Sequence, residues 1–198
     1  MDANGHYHAI VAAQAMTDET LIAGIARGDR TAMHALYARH SRSVYRFALR
    51  MLGDPTAADD IVSTVFLDVH RAAGTFEARS RVSTWLLAIC RNKVLALRRR
   101  RTPDQLSDAD AMAIEDDTET PEQSVVREDA AAALRRALTR LSAAHHEVID
   151  LVYYQNMSVE EAGQVLGVPK NTVKTRMFYA RKQLARLLAE ADGGAVTA

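Results

Sequence analysis

A chain of 198 residues that is 48% hydrophobic and 25% charged, with a single cysteine and 25 basic side chains balanced by 25 acidic ones, has the makeup of a globular protein. That balance excludes disorder throughout, and the lone Cys90 excludes an internal disulfide. No stretch nears the roughly 20 apolar residues of a bilayer span and no signal-peptide pattern opens the chain, so a cytoplasmic protein without membrane insertion is expected.

Sparse glycine and proline, with Ala, Leu, Arg and Glu abundant, predict an all-α fold. Residues 1–16, which include His6 and His8, have no strong period and read as a flexible leader. Thr17 is placed to cap a first helix carrying Leu21, Ile22 and Ile25 and ending at Gly28. A second helix is predicted from about Arg30, with Met33, Leu36, Tyr37, Val44, Phe47, Ala48, Met51 and Leu52 on one buried face until Gly53. Asp54 and Pro55 suit an N-cap and first helical position, opening a third helix through Ile61, Val65, Phe66 and Val69 to Gly74. After a loop over 75–82, a fourth helix is expected to be capped by Ser83 and to end in the arginines Arg98 to Arg101. Cys90, among Leu86, Ile89 and Val94, reads as a small packed side chain.

From Thr102 to Val126 eight acids meet no base, with proline at either end, a composition unable to build its own core and therefore a linker. Helical segments follow at about 127–140 and 143–155, with Leu134, Leu138, Leu141, Val148, Ile149 and Val152 as apolar positions. The expected organisation is thus a leader at 1–16, a helical domain at 17–101, an acidic linker at 102–126, a second helical domain at 127–190 and a tail at 191–198. The zero net charge is a sum of unlike parts. Residues 91–101 and 162–189 contain six bases each and no acid, so two basic surfaces flank an acidic connector.

Residues 158–184 carry the sharpest local pattern. Ser158 and Glu161 form a capping box, Ala162, Val165 and Leu166 give a short helix one apolar stripe, Gly167 suits a tight turn, and Pro169 favours the start of another helix. That is a helix-turn-helix. In its second helix Val173, Met177, Ala180 and Leu184 share one side, while Lys170, Asn171, Lys174, Thr175, Phe178 and Lys182 share another, the width and chemistry a major groove admits. Phe178 and Tyr179 suit either contact with DNA or packing on a neighbouring helix. In residues 76–101, Phe76 and Trp85 lie beside Arg79, Arg81, Arg91, Asn92 and the terminal arginines. Aromatics interleaved with cations suit separated strands, and Asn92 and Ser80 could hydrogen-bond an extruded base. Residue by residue, Trp85 as core and Arg98 to Arg101 as a cluster complementing the helix dipole fit equally well.

Over residues 17–190 the chain resembles the extracytoplasmic-function sigma factors of the sigma-70 family. The resemblance implies that Asp54 through Phe76 is a polymerase-binding helix, with Asp59, Asp60, Phe66 and Leu67 meeting the clamp helices of the β′ subunit of core RNA polymerase. It implies a minus-ten reader in Ser83, Thr84, Trp85, Leu86, Ile89, Arg91 and Asn92, with Phe76 and Asn92 holding an extruded base; Ser80 and Arg98 join the expected minus-ten set from the residues of that segment themselves. It further implies a minus-thirty-five reader through Leu166 to Arg181, including Thr172, Val173, Lys174, Thr175, Arg176 and Arg181. Departures from the family pattern are Ser63 and Thr64 for Gln and Glu, His70 for an aromatic, Ala96 for Asp, and Tyr179 for Arg or His. Core polymerase (β′ clamp and β flap), promoter DNA and an anti-sigma protein are the implied partners, with no cofactor, metal or catalytic residue. A duplex-binding regulator that works without replacing sigma is the rival. An enzyme is disfavoured, since the seven histidines form no metal-spaced cluster and no glycine-rich phosphate loop exists.

Overall fold

The computed structural model describes residues 15–101 and 124–193, so most of the expected leader and acidic linker, and residues 194–198 of the tail, lie outside the described residues. Among the described residues there is no strand. Contacts divide the chain into two compact units, Met1–Leu106 and Ser107–Ala198.

The first unit holds helices α1 (Asp18–Ala26), α2 (Arg30–Leu52), α3 (Pro55–Ala72) and α4 (Val82–Arg100), with a 3-10 turn over Ala73–Thr75. Helix α2 packs against the other three. Its starts and stops are chemical. Asp29 accepts hydrogen bonds from the Thr31 and Ala32 amides at 2.8 and 3.2 Å, and Gly53 ends the helix with φ 67°, a left-handed conformation that glycine adopts without the clash a Cβ would bring. Asp54 then caps α3 by accepting from the Ala57 amide at 3.0 Å, with Pro55 in the first turn. Leu21, Leu36, Val44, Phe47, Val65 and Leu86 are among the fully enclosed side chains. Cys90 is likewise buried, its thiol donating to the Val44 carbonyl at 3.8 Å. Asp18 ties α1 to α2 by pairing with Arg39 and with His40 Nε2 at 2.8 Å.

The start of α4 differs from expectation. Arg81, extended and without a side-chain cap, precedes the helix, which begins at Val82. Val82 and Leu86 are one turn apart and both about 1% exposed, so burial of this pair draws the helix start inward and leaves Ser83 inside the first turn.

The second unit contains α5 (Ser124–Thr139), α6 (Ala143–Ile149), α7 (Val159–Leu166) and α8 (Lys170–Gly193). Helix α8 packs against α5, α6 and α7. Instead of one helix over 143–155, α6 passes into a π turn at Asp150–Tyr154, closed by a Gln155 N–H to Asp150 carbonyl bond of 3.0 Å. The widened turn inserts one residue into the helical register. Leu151 stays fully buried while Tyr153 and Tyr154 face solvent, and the enclosed Asp150 carboxylate accepts from Gln155 Nε2 at 3.3 Å. Leu134, expected in the core, is exposed, whereas Leu138, Leu141, Val148 and Ile149 are buried.

Candidate nucleic-acid interface

In the second unit the turn between α7 and α8 is built from local chemistry. The Ser158 amide donates to Glu161 Oε2 at 2.9 Å and the Glu161 amide to Ser158 Oγ at 3.2 Å, a complete capping box. Gly167 closes α7 at φ 66°, ψ 34°. The Pro169 carbonyl then accepts from the amides of Thr172 and Val173 at 2.9 and 3.2 Å and launches α8.

Val173, Ala180 and Leu187 are buried at seven-residue intervals, with Met177 and Leu184 half-buried beside them. This seam holds α8 to the unit and turns the opposite side outward. Lys170, Asn171, Lys174, Thr175, Phe178, Tyr179, Arg181 and Lys182 are exposed, and Thr172 is half-buried. Phe178 and Tyr179 are 57% and 53% exposed, with their rings edge-to-face at 5.3 Å, so neither is spent on packing against a neighbouring helix. Lys170 pairs with Glu160 at 3.6 Å. Both partners are exposed, and such a pair is weak enough for a phosphate to replace Glu160.

In the first unit Phe76, just after the 3-10 turn, and Trp85, in the first turn of α4, stack at 4.9 Å with an interplanar angle of 44°. Both rings are half-buried. Asn92 lies exposed two turns beyond Trp85, on the same side of α4. Ser80 and Arg91 are half-buried. Arg98 faces the other way and donates to the Met51 carbonyl. The expected minus-ten group is thus one aromatic pair with Asn92 along α4, while Arg98 is engaged inside the unit.

On α3, Asp59, Asp60 and Leu67 are exposed, Leu67 by 55%. Phe66 differs: at 4% exposure it belongs to the core, because the position that would turn it outward falls on the seam of α3 with α2. Tyr37 of α2, placed by periodicity in the core, is instead 48% exposed and lies against the Phe66 ring at 4.8 Å. Sequence reasoning missed Tyr37 as a surface group. Its hydroxyl, which needs water or a partner where a Leu would not, was the available signal. Next to it a hollow of about 460 Å³ is lined by Ile25, Met33, His34, Tyr37 and His70, among others. Among the described residues no group of His, Cys, Asp and Glu is arranged to hold a metal ion, and no helix is long and apolar enough to cross a membrane.

Known proteins share both halves of this arrangement. The family model for Sigma-70 region 2 matches residues 36–103, and that for Sigma-70 region 4 matches residues 137–186. The chain is 34% identical over 179 residues to the ECF RNA polymerase sigma factor SigM of Mycobacterium tuberculosis, covering 90% of this chain and 88% of that one. It resembles the structure of CnrH in complex with the cytosolic domain of CnrY, at TM-score 0.66 and 27% identity, over 87% of this chain and 97% of that one. It also resembles the sigma factor RpoE in complex with the anti-sigma factor NepR from Bartonella quintana, at TM-score 0.59 and 27% identity, over 77% and 94%.

Proposed function

This chain belongs to the sigma-70 family as an alternative sigma factor of the extracytoplasmic-function type, and from that premise we propose how its two units divide promoter recognition. The protein directs transcription initiation and catalyses no reaction; nucleotidyl transfer belongs to the core polymerase. Residues 17–101 act as region 2, residues 127–190 as region 4, and residues 102–126 as the connector, in the cytoplasm.

In the second unit, Lys170, Lys174, Arg181 and Lys182 meet phosphates and fix the register of α8 on the minus-thirty-five duplex. Asn171, Thr172, Thr175, Phe178 and Tyr179 meet base edges and sugars. In the first unit, the open faces of Phe76 and Trp85 hold bases freed from the minus-ten duplex, Asn92 and Ser80 hydrogen-bond them, and Arg91 supports the backbone. Unpairing a base costs on the order of a few kcal/mol, and aromatic stacking returns about 1–3 kcal/mol per base. Stacking alone leaves opening near balance, so core polymerase, held through Asp59, Asp60 and Leu67 with Phe66 beneath them, supplies the remainder. An anti-sigma protein that covers this α3 face would silence the factor.

The observation that carries the reading is the pairing, in one chain, of a recognition helix α8 that presents cations and aromatics with no acid from Lys170 to Ala189 and a separate unit presenting Phe76 and Trp85 beside Asn92. Run-off transcription from a genomic library with core polymerase tests it. Wild type should give discrete starts, Lys174→Ala weaker ones with a shallower salt dependence, and Trp85→Ala complexes that bind but do not open. Absence of promoter-dependent starts with every core enzyme tried sinks the assignment.

A further inference from the structure

The four consecutive arginines at the end of α4, three in its last turn and Arg101 just after it, face two ways. Arg98 and Arg101 are three residues apart, hence on one side of the helix, and both are engaged within the unit. Arg98 Nη2 donates to the carbonyl of Met51, one residue before the end of α2. That carbonyl is one of the last four of its helix, which have no partner along the helix itself, and it lies at the negative end of the α2 dipole. Arg101 Nη2 donates to Asp54 Oδ2 at 2.9 Å, while the other oxygen of Asp54 caps α3 at the Ala57 amide. One face of the last turn of α4 therefore grips both sides of the α2–α3 corner. Arg99 and Arg100 are exposed on the other side, and no ion pair within the described residues engages them.

We infer that Arg98 and Arg101 are positioning residues, which lock the end of α4 to the α2–α3 corner so that Arg99 and Arg100, and only these two of the four, are delivered to promoter phosphates. The charge of Arg101 is matched by Asp54 and the donor of Arg98 by a carbonyl. Either would have to leave a formed bond before reaching a phosphate. The corner they hold is also the start of α3, so the clamp joins the helix assigned to DNA with the helix assigned to polymerase. This inference rests on the reading of α4 as a DNA-facing helix.

The test uses holoenzyme assembled from full-length protein, with promoter affinity measured across a salt series. Each phosphate contact contributes about 0.9 to the slope of log affinity against log salt on duplex DNA. Arg99→Gln and Arg100→Gln should each reduce the slope by about that amount, whereas Arg98→Gln and Arg101→Gln, which loosen the corner but remove no phosphate contact of their own, should reduce it by clearly less. Arg101→Gln should instead slow promoter opening, read by permanganate reactivity of unpaired thymines, with Arg101→Lys restoring most of it because a lysine still reaches Asp54. Ile25→Val, a core change outside the corner, serves as a control for mere loss of stability and should not alter opening at 25 °C. A slope reduction for Arg98→Gln or Arg101→Gln equal to that for Arg99→Gln overturns the partition while leaving α4 on DNA. Unchanged slopes for all four variants overturn the DNA reading of this helix end and the partition with it.

Discussion

Gly167→Ala isolates the backbone geometry on which the recognition helix depends. Gly167 sits at φ 66°, and a Cβ built there meets no atom within 4 Å, so the substitution introduces backbone strain without a packing clash. A left-handed L-residue costs about 1–2 kcal/mol, and the reduced freedom of alanine in the unfolded chain returns about 0.4–1 kcal/mol, leaving a net loss of about 1 kcal/mol. For a unit of this size that lowers Tm by about 4–8 °C. Trp85, the only tryptophan, lies in the other unit, so its fluorescence reports on the first unit while far-UV circular dichroism follows both. The dichroism transition should move, the fluorescence transition should not, and Gly167→Asn should recover part of the loss because asparagine tolerates the left-handed region. An alanine variant as stable as wild type, or an asparagine variant less stable than alanine, refutes the claim that φ at this position sets the turn.

Other consequences are equally accessible. Trp85→Ala should retain duplex promoter binding yet lose opening on linear templates, and a pre-melted minus-ten segment should restore much of the activity; failure on both templates assigns Trp85 to folding. If Phe178 meets a thymine methyl, deoxyuridine in place of one thymidine of the minus-thirty-five element should weaken wild-type binding about fourfold, the worth of about 0.8 kcal/mol per buried carbon, and leave Phe178→Ala unaffected. Equal losses in both proteins remove Phe178 from the base-reading set. The Asp54 carboxyl is held below its ordinary value, first by the Ala57 amide and then by the Arg101 guanidinium. Its stabilisation is complete above about pH 5 and is lost as pH falls through the lowered folded-state pKa, so Asp54→Asn should flatten the acid limb of a Tm-against-pH curve and leave its neutral region parallel to wild type. Parallel acid limbs would show that the capping carboxylate is not what titrates.

Elements defined by neighbours in the chain were legible from residues alone. Gly53, Asp54 with Pro55, the Ser158 to Glu161 box and Gly167 act within one helical turn, and the helices begin and end where they stand. The outward set on α8 was legible for the same reason, since a seam through Val173, Met177, Ala180 and Leu184 leaves its complement exposed. Charge segregation along the chain likewise needed no structure, because it is a property of order rather than of contact.

What only tertiary structure decided concerns groups whose partners are distant in sequence. Tyr37, set by the period of α2 on its buried face, is exposed against the covered Phe66 ring because packing between α2 and α3 determines which ring is covered. The start of α4 shifts to Val82 because the core rewards its burial more than Ser83 rewards a cap. Asp150 enters the interior on a widened turn that no local propensity encodes. The arginines Arg98 to Arg101 are chemically identical in a string of letters, and they separate into two roles only when Met51 and Asp54, 47 residues earlier, come within reach of one face of α4. Hydrogen bonds and burial between such remote groups depend on how helices pack, and periodicity along one helix carries no information about the neighbour it will meet.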